Sequence, residues 1–108
     1  MKSFIDLFLM LTMAHFVCDF TLQNDRMAVE KVKGKDVTLN WRYWLIAHGA
    51  THGLAVGLLL GSGYGFLEWV AHALTDYLKG RGKFTLLGDQ IIHIGFKLIW
   101  VSIYTHQT

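Results

Sequence analysis

The sequence predicts an all-α fold: an integral membrane bundle of four helices with short hairpin loops and a cluster of histidines and aspartates in its cytoplasmic half. Three observations predict it. Of the 108 residues, 53% are hydrophobic and only 17% are charged, which is too apolar for an ordinary soluble domain of this size. Long apolar runs occur four times, and there is no proline. Each run also contains two ionisable residues four positions apart. We therefore expect residues 1–108 to form a single transmembrane domain.

The four apolar runs are near or slightly below the ~20 residues that cross ~30 Å of hydrocarbon as a helix. They predict membrane-spanning helices at residues 4–20, 41–60, 64–78 and 84–104. The third run is the least apolar. Glycine-rich turns separate the second run from the third ("GSGY", 61–64) and the third from the fourth ("KGRGK", 79–83). The polar residues 21–40 are expected to form a cytoplasmic surface loop or a short amphipathic helix.

Basic residues predict the orientation of the bundle, because loops rich in lysine and arginine stay on the cytoplasmic side. Eight of them flank or fill the long first loop and the last loop: Arg26, Lys31, Lys33, Lys35, Arg42, Lys79, Arg81 and Lys83. The opposite side has only Lys2. We expect a multi-pass protein of the bacterial inner (cytoplasmic) membrane with both termini outside.

The net charge and its distribution indicate which class of partner to expect, and the single cysteine excludes an internal disulfide. The net charge of +2 is small and the basic residues are confined to two stretches, so nucleic acid is not an expected partner. Membrane lipid is the expected one. The lone Cys18 cannot form an internal disulfide and is expected to be a small apolar residue.

A step of four residues returns to nearly the same face of an α-helix, so each predicted helix presents two polar groups on one side. In an antiparallel pair, residues whose numbers have a constant sum lie at similar heights. This arithmetic pairs eight residues in two layers near the cytoplasmic ends: Asp76 with Asp89, His72 with His93, Asp19 with His48, and His15 with His52. The same arithmetic places Glu68 level with Lys97, which predicts a hydrogen-bonded pair.

Isolated histidines in membrane helices often only hydrogen bond across helices, but eight ionisable groups in register favour a functional site. Imidazole and carboxylate groups on opposed helices are metal ligands. The predicted ligands are His15, Asp19, His48, His52, His72, Asp76, Asp89 and His93. They exceed the needs of one tetrahedral ion, so we expect one or two divalent ions, with zinc favoured over manganese or iron. Groups that are not ligands would orient the ligands or transfer protons.

The stretches "HFVCDFTLQNDRMAVEK", "HGATHGL", "HALTDYLK" and "DQIIH" resemble, in this order, the small bacterial and phage membrane proteins of domain-of-unknown-function family 3307. The resemblance implies a four-helix inner-membrane protein and no established reaction. Its implied signature residues are His15, Asp19, Gln23, His48, His52, His72, Asp76, Asp89, Gln90 and His93. The histidine-aspartate helices are also similar to those of proteins regarded as membrane-bound metal-dependent hydrolases, an analogy that does not assign catalysis.

The leading hypothesis is a metal-dependent hydrolase that acts on a lipid-linked phosphoester, or a similar group, at the cytoplasmic face. Asp76 or Asp89 would take the proton from the attacking water. The residues expected to bind the substrate are Gln23, Lys79, Arg81, Gln90 and Lys97.

Three other classes stay open at this point. A proton or divalent-ion transporter would use the same groups, although the polar path looks incomplete on the outer half. Haem between opposed histidines is disfavoured by the carboxylates beside them. A metal-binding effector or interaction protein of a phage or bacterium, without catalysis, would bind another membrane protein or a second copy of itself.

Overall fold

The computed structural model describes residues 3–23 and 25–107, and this part of the chain contains helices and no strands. The predicted all-α class is confirmed. In chain order the elements are α1 (Phe4–Phe16), a π-helical turn (Val17–Thr21), α2 (Asp25–Glu30), α3 (Trp41–Leu60), α4 (Ser62–Gly80) and α5 (Leu86–Gln107). The four long helical segments begin and end within three residues of the four apolar runs. Lys2, the basic residue predicted on the outer side, lies outside the described residues.

The four long helices pack side by side in a bundle about 45 Å long and 23 by 21 Å across. Helices α3 and α4 form the most extensive pair, α5 packs on α4 and α1, and α1 also packs on α3. The short α2 lies against α3. Every long helix therefore contributes one face to a shared interior.

The first helix begins at a capping box and ends in a wider turn. Ser3 Oγ accepts a hydrogen bond from the Asp6 backbone N–H at 3.2 Å, and the Asp6 carboxylate reaches back to the Ser3 N–H. At the other end, the Leu22 N–H donates to the Val17 carbonyl at 2.8 Å, five residues back. Such π turns often occur at functional sites, and this one contains Asp19.

Glycines allow α3 and α4 to approach closely. Gly61, with φ of 112°, makes the sharp connection between them. A Cβ atom built at Gly53 would lie 2.8 Å from the Gly65 carbonyl oxygen and 3.0 Å from the Trp69 Cβ. Small residues at such contacts bring helix backbones together in membranes. This approach places the ring centroids of His52 and His72 3.6 Å apart.

The variant Gly53→Ala is expected to lose about 1–3 kcal/mol of stability, because the added methyl group pushes α3 away from α4. Thermal melting of the detergent-solubilised protein measures the loss. The matched control is Gly95→Ala in α5, where a Cβ meets no atom within 4 Å among the described residues. A Gly53→Ala variant that melts like Gly95→Ala would mean that the helices are less closely packed than described.

The interior of the bundle divides into an apolar half and a polar half. Buried apolar side chains cluster towards the end that holds both described termini: Leu7, Leu11, Val56, Leu60, Trp100 and Val101. The histidines and aspartates fill the other half. In the second half most of the buried side chains are polar, whereas the interior of a water-soluble bundle is mostly apolar.

The outer surface of the bundle is strongly apolar. Leu58, Leu87 and Ile5 are 78%, 71% and 67% exposed. Among the described residues, three segments are long and apolar enough to cross a membrane: Phe4–Thr21, Trp41–Leu60 and Leu86–Gln107. These features are compatible with a membrane protein. Helix α4 is not in this set, so its role as a fourth span stays a prediction.

Candidate metal centre

The structure brings all eight sequence-predicted ligands into one half of the bundle interior. Each is at most 7% exposed. They are His15, Asp19, His48, His52, His72, Asp76, Asp89 and His93. Burying so many ionisable groups is costly unless they are paired or bind an ion, so the contacts among them decide what they can do.

Four ligand atoms face one another in what we call the first ligand group: Asp19 Oδ1 and the Nε2 atoms of His48, His52 and His72. All lie within 4.8 Å of one another. Asp19 Oδ1 is 3.0 Å from His48 Nε2, 3.3 Å from His52 Nε2 and 3.8 Å from His72 Nε2. Bonds of ~2.0–2.1 Å to a tetrahedral ion separate its ligand atoms by about 3.3 Å. The observed distances bracket this spacing.

A neighbouring carboxylate orients one of these histidines, and another has a ring nitrogen without a hydrogen-bond partner among the described residues. The Glu68 carboxylate accepts from His72 Nδ1 at 3.1 Å, so the Nε2 lone pair of His72 faces the group, as in a carboxylate-oriented metal ligand. His52 Nε2 is buried, and no described residue has hydrogen-bond geometry to it. A buried imidazole nitrogen without a partner is unfavourable, and an ion at the centre of the group would supply one.

A second ligand group consists of Asp76, Asp89 and His93. His93 Nε2 lies 3.1 Å from Asp76 Oδ1 and 3.1 Å from Asp89 Oδ1. The other Asp76 oxygen, Oδ2, is 3.4 Å from His48 Nε2 and 3.5 Å from His72 Nε2. Asp76 therefore touches both groups, one with each oxygen.

The amide of Gln90 connects the two groups. Its Nε2 donates to Asp19 Oδ2 at 2.8 Å and to Asp89 Oδ2 at 3.1 Å, and its Oε1 accepts from His15 Nε2 at 2.8 Å. His15 belongs to neither ligand group, because its Nε2 is engaged by Gln90 and its Nδ1 faces Lys97 Nζ at 3.5 Å. The predicted roles of His15 as a ligand and Gln90 as a substrate contact stay predictions.

Glu68 and Lys97 form the predicted buried pair, which is confirmed. Lys97 Nζ donates to Glu68 Oε2 at 2.8 Å, and both residues are 1% exposed. Trp100 Nε1 donates to Glu68 Oε1 at 2.9 Å. Glu68 also has the spacing of a ligand with His72 and His93, but both of its oxygens are already hydrogen bonded. The predicted contact of Lys97 with a substrate stays a prediction.

Basic and amide side chains lie at the end of the site nearest the long loop. Lys31 Nζ is 3.0 Å from Asp76 Oδ2. Lys79 Nζ is 3.7 Å from Asp89 Oδ2, and its side chain is 35% exposed. Gln23 Nε2 donates to the Asp19 carbonyl at 2.9 Å. Arg81 is exposed beyond the end of α4. Of the predicted substrate contacts, Lys79 and Gln23 lie beside the site. Their role in binding a substrate stays a prediction, as does that of Arg81.

Sequence reasoning did not single out Lys31 for the site. It directly follows Glu30, whose contacts stabilise the surrounding loop. The Glu30 carboxylate accepts from the backbone N–H groups of Val37 and Thr38, both at 2.7 Å. Burial raises the pKa of Glu30, but these hydrogen bonds outweigh it and lower the pKa to about 2. The ionised carboxylate holds the loop beside the bundle. The only sequence signal was the adjacency of Glu30 and Lys31.

Comparison with known proteins matches the chain to one family. A family model described as "Protein of unknown function (DUF3307)" matches residues 7–108. No curated protein and no solved structure matches the chain. The match includes every residue of both ligand groups as well as Gln90, Glu68 and Lys97. The chain therefore belongs to the DUF3307 family of proteins of unknown function.

Proposed function

We propose that this protein is a membrane-embedded, metal-dependent hydrolase that acts on a phosphoester of a lipid at the cytoplasmic face. The observation that carries the proposal is the first ligand group. Its four buried ligand atoms have the spacing of a tetrahedral metal site, and one of them, His52 Nε2, has no hydrogen-bond partner among the described residues.

Charge in the interior supports a divalent ion. With neutral histidines, the polar half contains four carboxylates, Asp19, Glu68, Asp76 and Asp89. Lys97 neutralises Glu68 and Lys31 neutralises Asp76. Asp19 has no lysine or arginine partner among the described residues, and Asp89 has only the partly exposed Lys79, 3.7 Å from its Oδ2. These two negative charges lie in a region of low dielectric, where poorly paired charges are strongly unfavourable. One divalent cation would balance them. Three imidazole nitrogens and one carboxylate oxygen favour zinc, with manganese and iron as alternatives.

A divalent ion held here would lower the pKa of a coordinated water towards ~7 and neutralise charge that develops on a substrate oxygen. Asp76 Oδ2 lies at the edge of the first ligand group, between His48 and His72. That position suits a proton acceptor, and Asp89 lies behind it across His93. Gln90 holds Asp19 in place through the oxygen that faces away from the histidines.

The cationic end of the site favours an anionic substrate. Lys31 and Lys79 approach the two aspartates from the loop side, while Arg81 follows α4 and is exposed. Lysine and arginine bind phosphate oxygens through charge-assisted hydrogen bonds. The apolar outer surface of the helices is compatible with a membrane around the bundle, and this supports a lipid headgroup as the proposed substrate. Gln23 and Gln90 would add amide contacts.

The hydrolase proposal predicts metal-dependent phosphate release. The detergent-solubilised protein, loaded with Zn²⁺ or Mn²⁺, is incubated with phosphatidate, and inorganic phosphate is measured. Release should stop with EDTA and fall by ~10²-fold or more in Asp76→Asn, because the proton acceptor is lost. The matched control is Asp36→Asn in the loop, whose carboxylate accepts a hydrogen bond from the Trp41 N–H and belongs to neither ligand group. Failure of the metal-loaded protein to release phosphate would contradict hydrolysis of this substrate class.

A second candidate function, a membrane interaction protein with a structural metal ion, is supported by the number of ligands in the first ligand group. Four protein ligands complete a tetrahedral shell, which is typical of structural zinc, whereas catalytic sites keep one position open. The ion would then stabilise a membrane interaction protein, with another membrane protein or a second copy of the chain as its partner. In that case EDTA should lower the melting temperature while the metal-loaded protein releases no phosphate.

We further propose that the protein spans the bacterial inner membrane four times, with both termini outside. The cytoplasmic placement of the loops follows from their basic residues. Single cysteines at Lys35 and Lys83 should react with a membrane-impermeant maleimide only after the cells are opened, whereas one at His106 should react in intact cells. All three positions are exposed and Cys18 is buried. Labelling of Lys83→Cys in intact cells would overturn this orientation.

A further inference from the structure

We infer that the second ligand group, Asp76, Asp89 and His93, binds a second divalent ion, and that Asp76 bridges the two ions. This inference rests on the proposed function only in requiring that the first ligand group holds an ion. It makes the site dinuclear and changes Asp76 from a proton acceptor to a shared ligand.

The first argument is that one imidazole N–H cannot satisfy two carboxylates. His93 Nε2 is 3.1 Å from both Asp76 Oδ1 and Asp89 Oδ1, yet it carries at most one hydrogen. Its hydrogen bond is with Asp76. Asp89 Oδ1 is buried and has no hydrogen-bond partner among the residues that the structure describes. A cation between the three atoms would bind both oxygens together with the nitrogen lone pair.

The second argument is that the two oxygens of each aspartate have different partners. Gln90 Nε2 donates to the Oδ2 atoms of both Asp19 and Asp89. Each aspartate therefore offers its Oδ1 to a different ligand group. Asp76 contributes to both groups, with Oδ1 near His93 and Oδ2 near His48. A carboxylate shared in this way suits two ions about 3.5–4 Å apart, the usual separation in two-metal hydrolytic sites.

The third argument concerns affinity. Lys31 Nζ is 3.0 Å from Asp76 Oδ2. Its ammonium group therefore already neutralises a carboxylate that a second ion would bind. A first divalent ion would already balance Asp19, which has no lysine partner among the described residues, and Asp89, whose partner Lys79 is partly exposed. The second ion must therefore compete with Lys31 for Asp76, and it should bind more weakly than the first. Removal of the lysine charge should strengthen its binding by about tenfold or more.

The test is a metal titration of the full-length protein in detergent, stripped with chelator and then titrated with Mn²⁺ or Zn²⁺. Wild type is expected to bind two equivalents in two steps, and Mn²⁺ at saturation should give the electron paramagnetic resonance spectrum of a coupled pair. His93→Gln should bind one equivalent. Lys31→Met should bind two, with the second step tighter, whereas the control Lys35→Met, at an exposed loop position, should match wild type.

The outcomes separate this inference from the proposed function. One equivalent in wild type, unchanged in His93→Gln and Lys31→Met, would overturn the second ion and leave the first site intact. No bound metal in a folded wild type would overturn both. Because His93→Gln could fail to fold, Asp89→Asn provides a second variant with almost the same shape. If Asp89→Asn still binds two equivalents with the affinities of wild type, the inference is wrong.

Discussion

Replacing Asp19 with asparagine is expected to weaken binding of the first divalent ion by at least about 100-fold. Asp19 is the only carboxylate of the first ligand group, and its Oδ1 faces all three histidines at 3.0–3.8 Å. Loss even of a residue that merely orients a ligand costs 10–100-fold in metal affinity, so loss of a charged ligand should cost at least as much. Asparagine keeps the shape of the side chain and its contact with Gln90, but it removes the negative charge.

Elemental analysis of the purified protein measures the effect, and competition with a metal-binding dye gives the affinity. The matched control is Asp6→Asn, which makes the same chemical change in the first turn of α1, far from the site along the chain. Asp6→Asn should retain the metal content of wild type. An Asp19→Asn variant with unchanged metal affinity would show that the first ligand group does not hold the ion.

The levels of the polar residues could be predicted from residue numbers alone. The predicted partners His72 and His93 stack with ring centroids 3.9 Å apart, and Asp19 Oδ1 lies 3.0 Å from its predicted partner, His48 Nε2. Constant-sum arithmetic works here because helices have a fixed rise per residue. Tight turns at Gly61 and Gly82 connect α3 to α4 and α4 to α5. Short connections of this kind limit how far the joined helices can shift along each other.

Other parts of the site depend on geometry that the sequence does not specify. The π turn at Val17–Thr21 has no signature in residue type, yet it contains Asp19. Lys31 is one of several lysines in a polar loop, and nothing in its local sequence distinguishes it as the lysine that pairs with Asp76, 45 residues away. Trp100 looks like an ordinary apolar helix residue, but its indole N–H binds Glu68. The contacts of Lys31 and Trp100 depend on residues far away in the sequence rather than on a local pattern.

Breaking the pair Glu68 and Lys97 is expected to cost about 3–5 kcal/mol, the usual penalty for leaving one charge of a buried pair without its partner. Lys97→Met leaves the Glu68 carboxylate with only the neutral donors His72 and Trp100. Glu68→Gln leaves the ammonium of Lys97 beside His15 Nδ1, 3.5 Å away. Both single variants should therefore melt at lower temperature or give less folded protein in detergent.

The double variant Glu68→Gln/Lys97→Met should recover much of the lost stability, because no uncompensated charge remains. Recovery should be incomplete, since glutamine has one carbonyl oxygen to accept from His72 and Trp100, the two donors that remain when Lys97 is replaced. The affinity for the first ion should not recover in the double variant, although the stability does. Any variant without Glu68 should bind the first ion about 10–100-fold more weakly, because His72 loses the carboxylate that orients it. The matched control is Lys97→Met alone, which leaves that carboxylate in place. A double variant as unstable as the single ones would show that the two charges do not stabilise each other. Wild-type metal affinity in Glu68→Gln would show that Glu68 serves the bundle and not the ion.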